Sequence, residues 1–583
     1  MHSFEDLPGM NWQVILRNQW FQLCLVAALC SAGAGIFDLA TISTPPNPTP
    51  SPAPFSSPSK APSPAPLAQL HPKTSGHWIV DASGAADADS GNLQQVVASA
   101  VQGDTVTIRP GRYEAGLEIE KDLTFVGEGT SPATPLIFSN RDQSNVIEIL
   151  AGHVTLSNLQ IEQDFNANYA ALFCGKQSHV ELSHCSVTSK GVFGAAATED
   201  AQLDVSDSSF SSSQIGNGIV YQGRARGAVT RTNFFGNRSG LAVENQSRVT
   251  VDSCTFRDNG YQQINANTIY VGGSGATLEV ARSAFLNNSP TAAFAEESGK
   301  LTMTGCYLEN NGISLEADHV TNGMMVIQTG AQATLTNLNC KSNKQGIVVS
   351  TAATAQLNNV TLSDTGIVTS NEKYQAYCNT VYLDGDGTTA SIAGSTISGA
   401  PYNGIFIANA AKVSVQNCSI SNCKAHGLLF GSDNGTPGYG SVTDSAIFSN
   451  HRVGIYLQSK SLVEIHGGEI SNNGIDGIEV VGNGSVGTVT NLVLVRNQGE
   501  VGLIAYSGGL IKAKNCTIEK NQFGIQAGLA KGPEFAGTIL LESSIVRDNG
   551  YGAISCAGST ITLSGATFKN RQNYREDGGT IQR

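Results

Sequence analysis

The sequence predicts an all-β chain wound as one long solenoid, and three observations carry that expectation. The stretch from about Leu156 to Lys569 repeats one phrase: a small residue, an apolar residue two places later, then Asn-Gly and a Gly-(Ile/Leu) strand. "SCTFRDNG" at 253–260, "GCYLENNG" at 305–312, "GGEISNNG" at 467–474 and "SIVRDNG" at 544–550 are copies of it. The apolar anchor returns at Phe256, Phe285, Leu308, Cys340, Leu362 and onward to Phe568, roughly every 22 to 35 residues. Such a period means stacked units, each burying its neighbour's apolar face. Secondly, apolar and polar residues alternate over short runs, as in Val249-Val251, Leu278-Val280 and Leu301-Met303, which is the period of a half-buried strand. Thirdly, 64 glycines and many Asn, Ser, Thr and Asp supply turns. A coil of roughly 24 residues holds about three strands of about 5 residues. Three parallel strands per coil describes a right-handed parallel β-helix. Leucine-rich repeats share the length, but their leucine spacing is missing, and a propeller blade needs about 40–45 residues.

Two columns of the repeat read as structural. Asn recurs three places after the anchor, at Asn237, Asn259, Asn288, Asn311, Asn343, Asn450, Asn473, Asn497, Asn521 and Asn549. Asn tolerates left-handed backbone, and its side chain can bond the same group one coil away, giving a ladder of about 4.8 Å per rung. Five of the 12 cysteines sit two places before the anchor: Cys185, Cys254, Cys306, Cys418 and Cys516. No two lie on adjacent coils, and two rungs separate Cys254 from Cys306, about 9.6 Å, whereas a disulfide wants Cα atoms under about 7 Å. They are expected to be core thiols. Cys174, Cys378, Cys423 and Cys556 stay open as partners of something. His153, His179, His184 and His466 have no partners at ligand spacing and read as strand or surface residues, so no zinc site is expected.

The opening "LQQVVASAVQGDTVTIRPGRYEAGLEIEKDLTFVGEG" (93–129), followed by these repeats, resembles the right-handed parallel β-helix proteins of the pectate-lyase-like superfamily, with carbohydrate-binding and sugar-hydrolase type repeats. The resemblance covers about residues 78–570. It implies a short amphipathic helix over the first coil, where an uncapped solenoid would expose strand edges and core. It also implies substrate lying in a groove along one sheet, walled by the longer turns. Lyases of the family use a Lys, Arg, Tyr or His base with calcium or a cation on the uronate. Hydrolases of the fold use closely spaced Asp residues. The Gly-His-Gly and Asn-Thr-Asp strings of polygalacturonases, the Asp-Pro-His-Asp of mannuronan epimerases and the Gln-Asp-Thr of pectin methylesterases are absent. No family catalytic set transfers. "HWIVD" at 77–81 is expected to be the first strand.

Ahead of the repeats, residues 20–37 form the only long apolar run, with Arg17 before it and Ala32-Gly33-Ala34 as a place for cleavage. Residues 1–36 therefore read as a signal peptide or membrane anchor, with Met10 as a candidate true start. Residues 37–75 read as a stiff Pro/Ser-rich stalk, and 76–583 as the β-helix domain. This layout predicts an exported protein, secreted, periplasmic or on the cell surface, touching membrane only through its N-terminus. With a net charge of −13, nothing suggests a nucleic-acid surface, and no nucleic-acid partner is expected. Nothing in the repeat specifies an oligomeric state.

The interruptions carry the functional expectation. Long intervals open just after the Asn turn beyond Phe256, Leu308 and Leu362, adding "YQQINANT" (261–268), "ISLEADHVTN" (313–322) and "IVTSNEKYQAYCN" (367–379). Leaving one corner on alternate coils, they should project side by side, about 10 Å apart. His319 and Lys373 are then candidate bases. Tyr261, Gln262, Gln263, Glu316, Tyr374 and Tyr377 are candidate substrate contacts. Asp318, with Asp384 and Asp386 of the following "DGDG", is a candidate calcium ligand. The expected function is binding, with or without modification, of an extracellular polysaccharide. A non-catalytic adhesion scaffold and a lyase acting on a uronate polymer are the alternatives.

Overall fold

The computed structural model describes Leu70 and residues 76–129, 134–139, 144–165, 169–212, 216–260, 266–312, 323–366, 378–497 and 500–583. They wind into a parallel solenoid of about 19 turns with three sheets, the longest of 21 strands. One coil shows the plan. Arg248–Asp252 lies in the first sheet, Thr255–Arg257 in the second and Asn267–Gly272 in the third, and Thr277–Ala281 then re-enters the first. Register repeats coil on coil: Val249 pairs with Leu278, Phe256 with Phe285 and Ile269 with Ala293, all parallel.

The anchors stack in the interior. Phe210, Phe234, Phe256 and Phe285 are fully buried, with successive ring centroids 5.5, 4.7 and 4.8 Å apart. That spacing is the rung distance itself, so a single phenylalanine column continues the sheet's geometry through the core. The asparagine ladder forms in two runs. Asn259 Nδ2 donates to Asn288 Oδ1 at 3.0 Å, and the Asn259 backbone N–H donates to the same oxygen at 3.1 Å. The pattern extends from Asn237 to Asn343 and from Asn450 to Asn570. Between the runs Cys423 occupies the ladder position and its N–H donates to Asn450 Oδ1 at 3.1 Å. The left-handed residue is the one before each ladder Asn from Asn237 to Asn549, such as Asp258 (φ 54), Asn310 (φ 55) or Lys520 (φ 57). The ladder Asn is therefore selected for its side-chain amide, not for its backbone.

The cysteine column packs as expected. Cys185, Cys254, Cys306, Cys418 and Cys516 are buried free thiols, and so are Cys174, Cys340, Cys423 and Cys556. Serines on the following coils complement four of them: the N–H groups of Cys185, Cys254, Cys418 and Cys516 donate to Oγ of Ser208, Ser283, Ser445 and Ser544 at 3.0–3.1 Å. At the N-terminal end the strand His77–Val80 precedes a helix, Leu93–Ser99, capped where Asn92 Oδ1 accepts from the Gln95 N–H. Its Leu93, Val96 and Val97 join the core. The leader and the stalk, apart from Leu70, lie outside the described residues.

Candidate functional site

Each third-sheet strand starts at the corner where the long intervals enter and ends at the turn leading to the first sheet. Alternation sends Leu241 and Val243 inward and leaves Ala242 between them on the outer face. Followed from coil to coil, this outer column runs through Phe173, Ala196, Val220, Ala242, Tyr270, Phe294, Val326, Val348, Tyr382, Phe406, Leu429 and Tyr456. It is an unbroken apolar strip on an outward face, with aromatic pairs stacked at Tyr270–Phe294 (6.0 Å) and Tyr382–Phe406 (5.2 Å). Ala196, Val220, Ala242, Phe294, Val326 and Phe406 of the strip are buried, while Tyr270, Tyr382 and Tyr456 are half-buried.

The strip ends in acid. On the coil after Tyr456 the same column presents Glu479, and Asp476 stands two residues before the strand Ile478–Val481 that carries it. Asp476 is 5 % exposed and its Oδ1 accepts the Val501 N–H at 2.8 Å. Burial pushes its carboxyl up to about 7, the neighbouring Glu479 charge adds to the rise, and the Val501 bond opposes it. Glu479 is also raised by burial, but the hydrogen bond from Tyr506 and the Arg452 charge pull it back toward ionisation. Burial pushes the Tyr456 phenol up to about 12. His426 stacks on Tyr456 with ring centroids 5.0 Å apart, and burial, helped by Arg452, drops its imidazole to about 3. It is neutral at ordinary pH, and its buried Nδ1 has no hydrogen-bond partner. The result is a sheltered acid pair between tyrosines, with a neutral imidazole and an exposed guanidinium beside it.

A second acid group lies farther up the strip. Tyr270 donates to Glu296 Oε1 at 3.0 Å and Gln328 to Glu296 Oε2 at 3.1 Å, while Gln222 donates to Glu244 Oε2 at 3.3 Å. Burial raises both carboxyls. Each is tied by side-chain amides and reads as part of the wall.

The residues expected to carry chemistry divide into two sets. Tyr261, Gln262, Gln263, Glu316, Asp318, His319, Lys373, Tyr374 and Tyr377 lie outside the described residues. The chain enters and leaves those segments between the second and third sheets on alternate coils, at Phe256, Leu308 and Leu362. Asp384 and Asp386 are described, and sit at the opposite end of the third-sheet strand Val381–Asp384 from that corner. Asp384 accepts from Asn409 Nδ2 at 2.5 Å and burial raises its carboxyl; Asp386 Oδ1 accepts the Gly387 N–H at 2.9 Å.

Sequence reasoning missed the Asp476, Glu479, Tyr456, Tyr506, His426 and Arg452 group. The signal was available: His426 and Asp476 directly precede the Gly-(Ile/Leu) of their strands, and Tyr456 and Glu479 directly follow it. Both places face outward on the third sheet. The structure also overturns the expectation that His153 and His179 lack partners, since they stack with centroids 4.4 Å apart beside Glu181. Sequence distance hid this pair, because parallel pairing aligns them through a whole coil.

With this geometry established, comparison places the chain among known proteins. The family model described as "Right handed beta helix region" matches residues 145–288 and 379–537. Among solved structures, the chain is similar to the catalytic unit of a thermostable GH87 α-1,3-glucanase from Streptomyces thermodiastaticus, at 15 % identity over 69 % of each chain and a TM-score of 0.39. It is similar to an alginate lyase from Paenibacillus sp., at 13 % identity over 52 % of this chain and 91 % of that one, TM-score 0.28. It is also similar to the pectate lyase Pel9A, at 13 % identity over 48 % of this chain and 80 % of that one, TM-score 0.27. At such identities the likeness is one of fold. None of the curated proteins matches the chain.

Proposed function

The chain belongs to the right-handed β-helix family, and from its third-sheet face we propose that it binds an extracellular polysaccharide along that face and cleaves it at Asp476 and Glu479. The observation that supports this most is the acid pair itself, two carboxyls both raised by burial, of which only Glu479 is hydrogen-bonded by a tyrosine, at the end of an aromatic strip. Glycoside hydrolysis needs one carboxyl protonated, to give its proton to the leaving oxygen, and one ionised, to act as base or nucleophile. Asp476, raised to about 7, holds the proton below neutral pH. Glu479 is also raised by burial, but the Tyr506 hydrogen bond and the Arg452 charge oppose that rise, and on this reading it serves as the carboxylate. The proton titrates with the pair as a unit, so this division names its dominant form. Tyr456 and the outer aromatic column supply faces for sugar rings.

The three long segments rejoin the account as the wall of the groove. The coil of Leu362 lies four rungs from that of Ile470, about 19 Å, so one oligosaccharide running along the axis reaches both. On this reading Tyr261, Gln262, Gln263, Glu316, Tyr374 and Tyr377 hold distal sugars, and calcium at Asp318 assists an acidic one. A uronate lyase is the second reading, favoured by the exposed Arg452 beside the acid pair and by His319 and Lys373 as bases. The apolar leader and proline-rich stalk support export, with the solenoid held out from its anchor. A glycan array tests the binding claim: the wild-type chain retains one class of glycan, and Tyr456→Ala weakens that retention about tenfold, one stacked ring's worth. Retention of no glycan at all contradicts it. A calcium-dependent rise in ultraviolet absorbance on uronides would replace hydrolysis by elimination.

A further inference from the structure

A second site, on a different sheet, is carried by geometry alone. Three consecutive first-sheet strands, Gly152–Ser157, Ser178–Ser183 and Gln202–Ser206, pair in parallel so that His153 faces His179, and His179 faces Gln202, on one outward column. Two residues on, the next outward column holds Thr155, Glu181 and Asp204. The imidazoles are parallel to within 4° with centroids 4.4 Å apart. Carboxylates meet them diagonally: Glu181 Oε1 lies 3.1 Å from His153 Nε2 and 4.0 Å from His179 Nε2, and Asp204 Oδ2 lies 3.2 Å from His179 Nε2.

We propose that His153, His179 and Glu181, with Asp204 alongside, form a binding site for one first-row divalent metal ion of the zinc class. The donor atoms of His153, His179 and Glu181 lie within 4.8 Å of one another. A tetrahedral zinc with bonds of about 2.0–2.1 Å holds its ligands about 3.3 Å apart, and the two diagonal contacts already stand at that separation. Closing the remaining gap asks only rotamer adjustment of half-exposed side chains on a rigid sheet. Two imidazoles and carboxylate oxygens suit zinc, cobalt or nickel, whereas calcium takes oxygen ligands. Gln202 Nε2 donates to Asp204 Oδ2 at 2.6 Å and the Ala228 N–H to Asp204 Oδ1 at 2.8 Å, so Asp204 is held in place. The ion would join three successive coils near the N-terminal end, far along the solenoid from Asp476, and the proposal stands or falls independently of polysaccharide cleavage.

The plain competitor is a pair of surface His–carboxylate contacts, worth little and needing no ion. Cobalt distinguishes them. Untagged full-length chain, stripped with chelator and dialysed, is titrated with Co(II) and followed by its visible d–d absorption, then back-titrated with Zn(II) and with Ca(II). The expected result is one Co(II) per chain with a tetrahedral-type band, displaced by Zn(II) and not by Ca(II). His153→Ala and His179→Ala should each weaken uptake at least about tenfold, and Glu181→Gln, which keeps shape and removes charge, should weaken it similarly. His466→Ala, on the same sheet outside the cluster, should leave it unchanged. Absence of saturable uptake overturns the site, as does uptake that persists undiminished in Glu181→Gln and both histidine variants.

Discussion

Tyr506 donates its phenolic hydroxyl to Glu479 from the neighbouring coil, in a hydrogen bond that spans 27 residues of sequence and a single rung of the third sheet. The contact holds the carboxylate that sits beside Asp476 and lowers its tendency to take a proton, against the rise imposed by burial. Tyr506→Phe keeps the ring and removes that bond. The acidic limb of the pH–activity profile should then move to higher pH, with kcat about tenfold lower at pH 6. An unmoved acidic limb would show that Glu479 does not work as the ionised partner.

Asp476 links the site to stability. Its folded-state carboxyl is raised to about 7, above an unfolded value of about 3.9. The folded form binds the extra proton between those values, so its contribution is fully present below about pH 4 and is lost as pH rises toward 7. Asp476→Asn removes the titration. Denaturant melts from pH 5 to 8 should show wild-type stability falling relative to the variant, by on the order of 2–4 kcal/mol across the whole window from about pH 4 to 7. Parallel pH profiles for the two proteins would rule the shift out.

Asn288 tests the ladder. Its Nδ2 donates to the Phe256 carbonyl and to Asn311 Oδ1, and its Oδ1 accepts from Asn259. Asn288→Ala leaves those fully buried partners unsatisfied, at a cost of about 1–3 kcal/mol. The loss should appear in the denaturation midpoint, while glycan retention at Tyr456 stays intact in what remains folded.

Phe256 tests the core column. It is fully buried and stacked on both sides, by Phe234 and Phe285. Phe256→Ala should cost about 3–5 kcal/mol, more than the ladder change beside it. Equal effects would mean that the amide column, and not aromatic packing, carries this part of the solenoid.

The cysteines make a prediction of no change. Burial pushes Cys423 and Cys185 up to about 12, so the thiols are neutral and sheltered. Reductant should leave the melting temperature where it was, and the native chain should react with a thiol reagent only after unfolding. A fall in melting temperature on reduction would reveal a covalent link.

The features that repeat were legible in the sequence, because a repeated residue reports a repeated environment. The Asn and Cys columns and the Phe256–Phe285 anchors each announce their burial by returning at the same place in the repeat. What repeats cannot announce is adjacency between singular residues one coil apart. Glu479 and Tyr506, or His153 and His179, become neighbours only once the exact register of a parallel sheet is known, and the coil length varies enough to obscure it. The left-handed position was misplaced by one residue for a related reason: Asp258 and Asn259 suit a turn equally by composition, and only the backbone separates their roles. The three long segments were legible as interruptions, and their ends do leave one corner. Their residues Tyr261, His319 and Lys373 belong to the proposal.

The central claim is that Asp476 and Glu479 cleave a glycosidic bond on the third sheet, and the most direct measurement is product release from the polysaccharide the chain retains. Wild-type protein should generate new reducing ends, Asp476→Asn and Glu479→Gln should each lower kcat by at least about a hundredfold, and both variants should bind the polymer as the wild type does. Reducing ends released equally by wild type and both variants would contradict the account, and so would a wild-type chain that binds the polymer and releases none.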